Sequence, residues 1–135
     1  MLTLICGVPN AGKTTYSKQY PNVIHQDDIR PRDKSVSAIV EDMVSEQDDV
    51  CVEGIYLSAR QRKRLSSAYK GDRKVCIWMD TPLDVCIARE NRGRKNGLHI
   101  MCAKAIQPPT LDEGWDEIII VKPDGCETRI SEAVK

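Results

Sequence analysis

Five short apolar runs punctuate the chain, at Leu2 to Cys6, Val23 to His25, Val50 to Val52, Val75 to Met79 and Ile118 to Val121. Each has the length and β-branched content of a strand buried on both faces of a parallel sheet. Between them the period changes. Val36, Ile39, Val40, Met43 and Val44 recur at helical spacing and predict one apolar helix face. Ser58 with Gln61 three residues later forms a capping box, opening a helix whose buried side includes Leu65, Ala68 and Tyr69. Thr81-Pro82 with Asp84 predicts another helix start: a cap, a proline at the first position and early negative charge. Pro21 and Gly93 predict the ends of the helices before them, and Ile130, Ala133 and Val134 predict a short terminal helix.

Strands alternating with helices predict right-handed crossovers onto a five-stranded parallel sheet. The expected fold is therefore α/β, a three-layer sandwich, in a single domain over residues 1–135. A chain of this length can bury one sizeable core. The formal net charge of zero points to no particular partner, so local charge has to carry any such argument. No apolar run approaches the ~18 residues of a membrane span, and the N-terminal apolar stretch lacks the basic flank of a secretion leader. Six cysteines (Cys6, Cys51, Cys76, Cys86, Cys102 and Cys126) include no C-x-x-C pair. They are expected to be buried or incidental thiols rather than zinc ligands or disulfides, which implies a reducing cytoplasm.

The chemistry begins at Gly7-Val8-Pro9-Asn10-Ala11-Gly12-Lys13-Thr14, a match to G-x-x-x-x-G-K-[ST] placed between the first strand and a helix. Glycines there permit a turn whose amides point inward around phosphate oxygens, and the following helix adds its positive end. Lys13 can reach the β- and γ-phosphates, the Thr14 hydroxyl is placed for Mg²⁺, and Thr15 is expected near the α-phosphate. By ordinary residue frequencies the pattern arises in on the order of one in a few hundred chains of this length, so it is specific. The reading is an ATP and Mg²⁺ site.

Ligands of open α/β sheets bind beyond the carboxyl ends of the strands. Three strands here run into carboxylates: Asp27 and Asp28 after the second, Glu53 after the third, Asp80 after the fourth. Asp27 and Asp28 are the general-base candidates, with Arg30 beside them able to hold an anionic acceptor. Glu53 is placed either to hold the hydration shell of a magnesium ion or to make a structural hydrogen bond. Asp80 is expected to terminate its strand and set the next helix start. Lys122-Pro123-Asp124-Gly125, at the carboxyl edge of the last strand, is expected to wall the base pocket, and Trp115 to pack in the core.

With these residues in hand, the chain resembles the phage-type polynucleotide kinase-like group of P-loop kinases, also described as AAA-type ATP-binding domains. The likeness runs through G-V-P-N-A-G-K-T-T, D-D-I-R and E-G-I-Y-L-S-A-R-Q-R-K-R-L, then Ala88 to Arg94 and Q-P-P-T-L-D-E-G-W-D-E-I-I-I-V. The resemblance implies a P-loop NTPase fold of nucleotide-kinase type, with a small Arg-rich lid around residues 89–106. It implies an ATP-dependent phosphotransferase acting on a polynucleotide 5′-hydroxyl or a nucleoside-like molecule. Asp27 would be its base and Arg30 the grip on an acceptor phosphate, with Asp28 and Glu53 beside the acceptor. Arg89 and Arg92, with Arg94 close by, would reach ATP and neutralise charge on the transferred group.

Residues 31–52, only 22 positions, separate Arg30 from Glu53, where the family carries a longer helical insert. Two alternatives therefore stand beside the first reading: a nucleotide-binding regulatory module with an eroded acceptor site, and a small-molecule or sugar kinase. Nucleic acid as a partner draws on Arg60, Arg62, Lys63, Arg64, Lys70, Arg73 and Lys74. With Asp72 these give residues 58–74 a local charge of +6. No aromatic residues interleave with those cations to stack bases, and the helix before them is acidic.

Overall fold

The computed structural model describes residues 1–93 and 96–132, with Asn96 described by its backbone alone. All five expected strands form: β1 (Leu2–Cys6), β2 (Val23–His25), β3 (Val50–Gly54), β4 (Lys74–Met79) and β5 (Glu117–Val121). Their order is β2-β3-β1-β4-β5, all parallel. A sixth strand, β6 (Glu127–Ser131), pairs antiparallel with β5. This corrects two expectations, the five-stranded parallel sheet and the terminal helix. Asp124-Gly125 supplies the reason. Gly125 sits at φ 88, and Lys122 and Cys126 close the turn at 3.0 Å, so the chain reverses into a hairpin before a helix can begin. Ile130 lies within that strand, while Ala133 and Val134 fall outside the described residues.

Strand parity sorts the core. Leu2, Leu4 and Cys6 of β1, with Val50 and Val52 of β3, face α2 (Val36–Ser45) and α3 (Ala59–Ala68). Ile5, Cys51, Val75, Ile77 and Val121 face the opposite way, with α1 (Lys13–Ser17), α4 (Leu83–Ala88) and α5 (Asn96–Ala105). Three layers result. Val40 and Val44 of α2 are fully buried, as the spacing predicts, and the Ser58–Gln61 capping box forms at 3.1 and 3.3 Å.

The start of α4 differs from expectation. Pro82 is the cap residue rather than the first helical one, and the Thr81 hydroxyl caps nothing. It donates instead to the Ala11 carbonyl at 2.7 Å, tying the beginning of α4 to the loop after β1. All six cysteines carry free thiols, and five are buried. Among the described residues no helix is long and apolar enough to cross a membrane.

Arg62 is the largest correction. Counted in the basic run, it is fully buried on the inner side of α3. Its guanidinium meets Glu113 twice, Nε to Oε1 at 2.8 Å and Nη2 to Oε2 at 3.1 Å. Nη1 donates to the carbonyls of Tyr56 and Leu57 at 2.9 and 3.1 Å. Trp115, buried as expected, donates Nε1–H to the same carboxylate at 3.1 Å. A buried charge pair persists only when every polar atom finds a partner, and this one ties α3, the chain after β3 and the approach to β5 together.

Candidate active site

The loop Gly7–Thr14 leaves β1 at the point where chain connections diverge to opposite sides of the sheet, the usual binding crevice of such folds. Asn10 (φ 65) and Gly12 (φ 102) take left-handed conformations there. A Cβ on Gly7 would stand 3.0 Å from the Met79 carbonyl, so only glycine lets the loop pass this close to β4. Gly7 N donates to Ile55 O at 3.3 Å, and Tyr16 N to Gly12 O at 3.0 Å. α1 has only five residues, so the positive field here rests on loop amides and Lys13 more than on a macrodipole.

Lys13 is 7% exposed, with its ammonium donating to the carbonyls of Gly7 at 3.0 Å and Val8 at 2.8 Å. Burial pulls its pKa below the ordinary lysine value, and the nearby Glu53 and Asp27 charges oppose that shift. A cationic head held in the mouth of a glycine-bearing loop is suited to polyphosphate. Thr14 and Thr15 are exposed beside it.

Glu53 is 6% exposed, and its register explains its orientation: it pairs with Ile5 of β1 and His25 of β2, so it points to the α1 face. There His25 Nδ1 lies 2.9 Å from Glu53 Oε2. Asp27 occupies a short 3-10 turn, Gln26–Asp28, directly after β2. Asp27, Glu53 and Lys13 line one cleft of about 740 Å³ that also takes in Pro9 to Thr15, Arg89 and Arg92. Asp28 and Arg30 are exposed and do not line it; Arg30 Nη1 donates to the Asp27 carbonyl at 2.7 Å. Arg94 lies outside the described residues. Asp80 follows β4, and its carboxylate meets Lys122, in keeping with its strand-ending reading.

Gly54 sets the position of the Asp27 turn. A Cβ there would stand 2.5 Å from Gln26 Oε1 and 3.0 Å from Gln26 Cβ and from Tyr56 Cε2. Gly54→Ala is expected to lose about 1–3 kcal/mol of stability, the range for overpacking, and to displace Asp27. Urea unfolding checks the first effect and a crystal structure of the variant the second.

Lys122, Pro123 and Gly125 border the cleft from the β5–β6 hairpin, where the base wall was expected. Sequence reading missed Tyr16, Ile55, Asn91 and Leu98, which also border it. Tyr16 could have been found, since it lies three residues beyond Lys13 and so one helical turn along from it. Leu98 could not, because its approach depends on how α5 packs.

The basic run is dispersed by folding. Arg62 is internal, Arg64 pairs with Glu41 at 3.3 Å and Arg73 with Glu117 at 3.5 Å. None of the seven cations lines the cleft.

Neither a protein-family model nor a curated protein sequence matches the chain. Among solved structures it is similar to a gluconokinase from Sinorhizobium meliloti 1021, with TM-score 0.69 and 14% identity, covering 89% of this chain and 81% of that one. It is also similar to an unliganded sugar kinase from Janibacter sp. HTCC2649, with TM-score 0.71 and 14% identity, covering 90% of this chain and 84% of that one. The fold is thus that of the P-loop kinases, an α/β sandwich on a mostly parallel six-stranded sheet.

Proposed function

We propose that this protein transfers the γ-phosphoryl group of ATP to a hydroxyl of a small hydroxylated acceptor. One observation carries the reading: Lys13, the carboxylates Asp27 and Glu53, and the guanidinium-bearing Arg89 and Arg92 border a single cleft at the carboxyl ends of the strands. That set contains a phosphate grip, a proton acceptor and cations for developing charge, the parts phosphoryl transfer requires.

The loop amides and Lys13 hold the phosphate chain. Asp27 accepts the proton of the acceptor hydroxyl while its oxygen bonds to the γ-phosphorus; the bond from that phosphorus to the β–γ bridging oxygen breaks, and ADP departs with the electron pair. Arg89 and Arg92 face the oxygens of the transferred group and offset their charge. The donor set fits Mg²⁺. Among the described residues no three His, Cys, Asp or Glu side chains form a metal cage. Magnesium bound through substrate phosphates needs only a hydroxyl and one or two carboxylates, which Thr14 and Glu53 offer. When bound, the ion would neutralise charge on the β- and γ-phosphates.

The small acceptor is favoured because the basic run lies away from the cleft, and the fold neighbours named gluconokinase and sugar kinase agree with it. A polynucleotide or nucleoside 5′-hydroxyl is the second reading. It is supported by the D-D-I-R and Q-P-P-T-L-D-E-G-W motifs and by the exposed Arg60, Lys63 and Lys70.

Labelled ATP with magnesium, offered to sugars, sugar acids, nucleosides and a 5′-hydroxyl oligonucleotide, separates these readings. Label is expected on a small acceptor. Transfer to the oligonucleotide, with affinity falling steeply as salt rises, would favour the second reading. Calorimetric binding of ATP with no transfer to any acceptor would leave a nucleotide-binding regulatory module and end the kinase proposal.

A further inference from the structure

A partly buried polar cluster joins the phosphate loop to the segment that carries the cleft arginines. We propose that Glu90 and His99 are positioning residues, which hold Arg89 and Arg92 over the phosphates by gripping Asn10. The inference rests on the phosphoryl-transfer reading above and extends it to two residues that do not line the cleft.

Asn10 is the hub. Its left-handed backbone, which asparagine tolerates better than most residues, turns the side-chain amide toward α4 and α5. The amide nitrogen lies 2.9 Å from Glu90 Oε1, 3.3 Å from the Cys86 carbonyl and 3.1 Å from His99 Nε2. His99 Nε2 also lies 3.3 Å from Glu90 Oε1. His99 is fully buried, and its Nδ1 has no hydrogen-bond partner among the described residues.

The same carboxylate reaches the arginines. Glu90 Oε2 accepts from the backbone N–H of Arg92 at 2.7 Å. Arg89 Nη1 donates to the Asn10 carbonyl at 3.3 Å. One carboxylate thus fixes the main chain at Arg92, the side chain of the loop residue Asn10 and the ring of α5. Desolvating a carboxylate, an amide and an imidazole is costly beside apolar packing, and what the cluster returns is a fixed geometry between the loop and the two guanidinium groups. Through His99, the placement of α5 is tied to the same point.

Glu90→Gln keeps the shape and removes the charge. It is tested by calorimetric affinities for Mg-ATP and Mg-ADP, with kcat and KM, in two backgrounds: the natural chain, and one with Arg89→Ala and Arg92→Ala. In the natural background ATP affinity and kcat should each fall about tenfold, the scale of one hydrogen bond to a charged group, with ADP affinity unchanged. In the arginine-free background Glu90→Gln should change nothing further. His99→Gln should repeat this pattern, and stands in if Glu90→Gln fails to fold.

Equal weakening of ATP and ADP, or full additivity with the arginine substitutions, would overturn the proposal and leave the cluster as a packing feature only. Failure of the unsubstituted protein to bind ATP is a separate result, which sinks the kinase reading itself.

Discussion

Asp27→Asn is expected to lower turnover by about 10²–10⁴-fold, the usual contribution of a general base, while ATP affinity stays as it was. The substitution preserves shape and removes only the ability to take a proton. Asp27 is exposed on the rim of the cleft, and among the described residues no hydrogen bond of its carboxylate holds the fold, so stability should not move. Initial rates with the identified acceptor, beside calorimetric titration of ATP, make the comparison. Undiminished turnover would remove Asp27 from the chemistry and shift attention to Glu53, whose carboxylate is buried against His25.

Glu113→Ala is expected to destabilise the protein by about 3–5 kcal/mol, because it strands the Arg62 guanidinium in the core without its counter-charge. Both partners are almost wholly buried, at 0% and 3% exposure, so solvent cannot make up the loss. Trp115 Nε1 and Thr110 N lose their acceptor at the same time. Urea unfolding followed by tryptophan fluorescence gives the value. A loss below about 1 kcal/mol, the scale of an exposed pair, would contradict the assignment. Arg62→Met combined with Glu113→Leu should recover only part of the stability: it removes the stranded charge, but it leaves Trp115 Nε1, Thr110 N and the Tyr56 and Leu57 carbonyls without these partners. The site should feel the single change too. Arg62 holds the Tyr56 and Leu57 carbonyls, and the adjoining Ile55 accepts from Gly7 N in the phosphate loop.

Much of this was readable in residue order, and the failures have a common origin. Leu2 to Cys6 and Val75 to Met79 are short apolar runs that lie in the two central strands of the sheet, as their composition predicts. The Ser58 capping box is equally local, its two bonds spanning three residues. β6 was missed because Glu127 to Ser131 is exposed throughout, so hydrophobic periodicity carries no signal there; the Asp-Gly turn before it was the available clue. Arg62 was misjudged for the opposite reason. It lies among cations that do face water, and only its position on the inner side of α3, opposite Glu113, makes it internal.

The sequence by itself determined the phosphate loop, five strands and a carboxylate at the end of three of them. Each is written in a pattern spanning only a few residues, although the strands then pair across tens of positions. Tertiary structure alone decided that Asp27 and Glu53 line the cleft while Asp28 and Arg30 do not, and that the basic run is dispersed away from it. It alone brought Glu90 and His99 to Asn10 across 80 and 89 positions of chain. Such pairings are chosen by how helices seat on the two faces of the sheet, a packing outcome of the whole chain that no local pattern encodes.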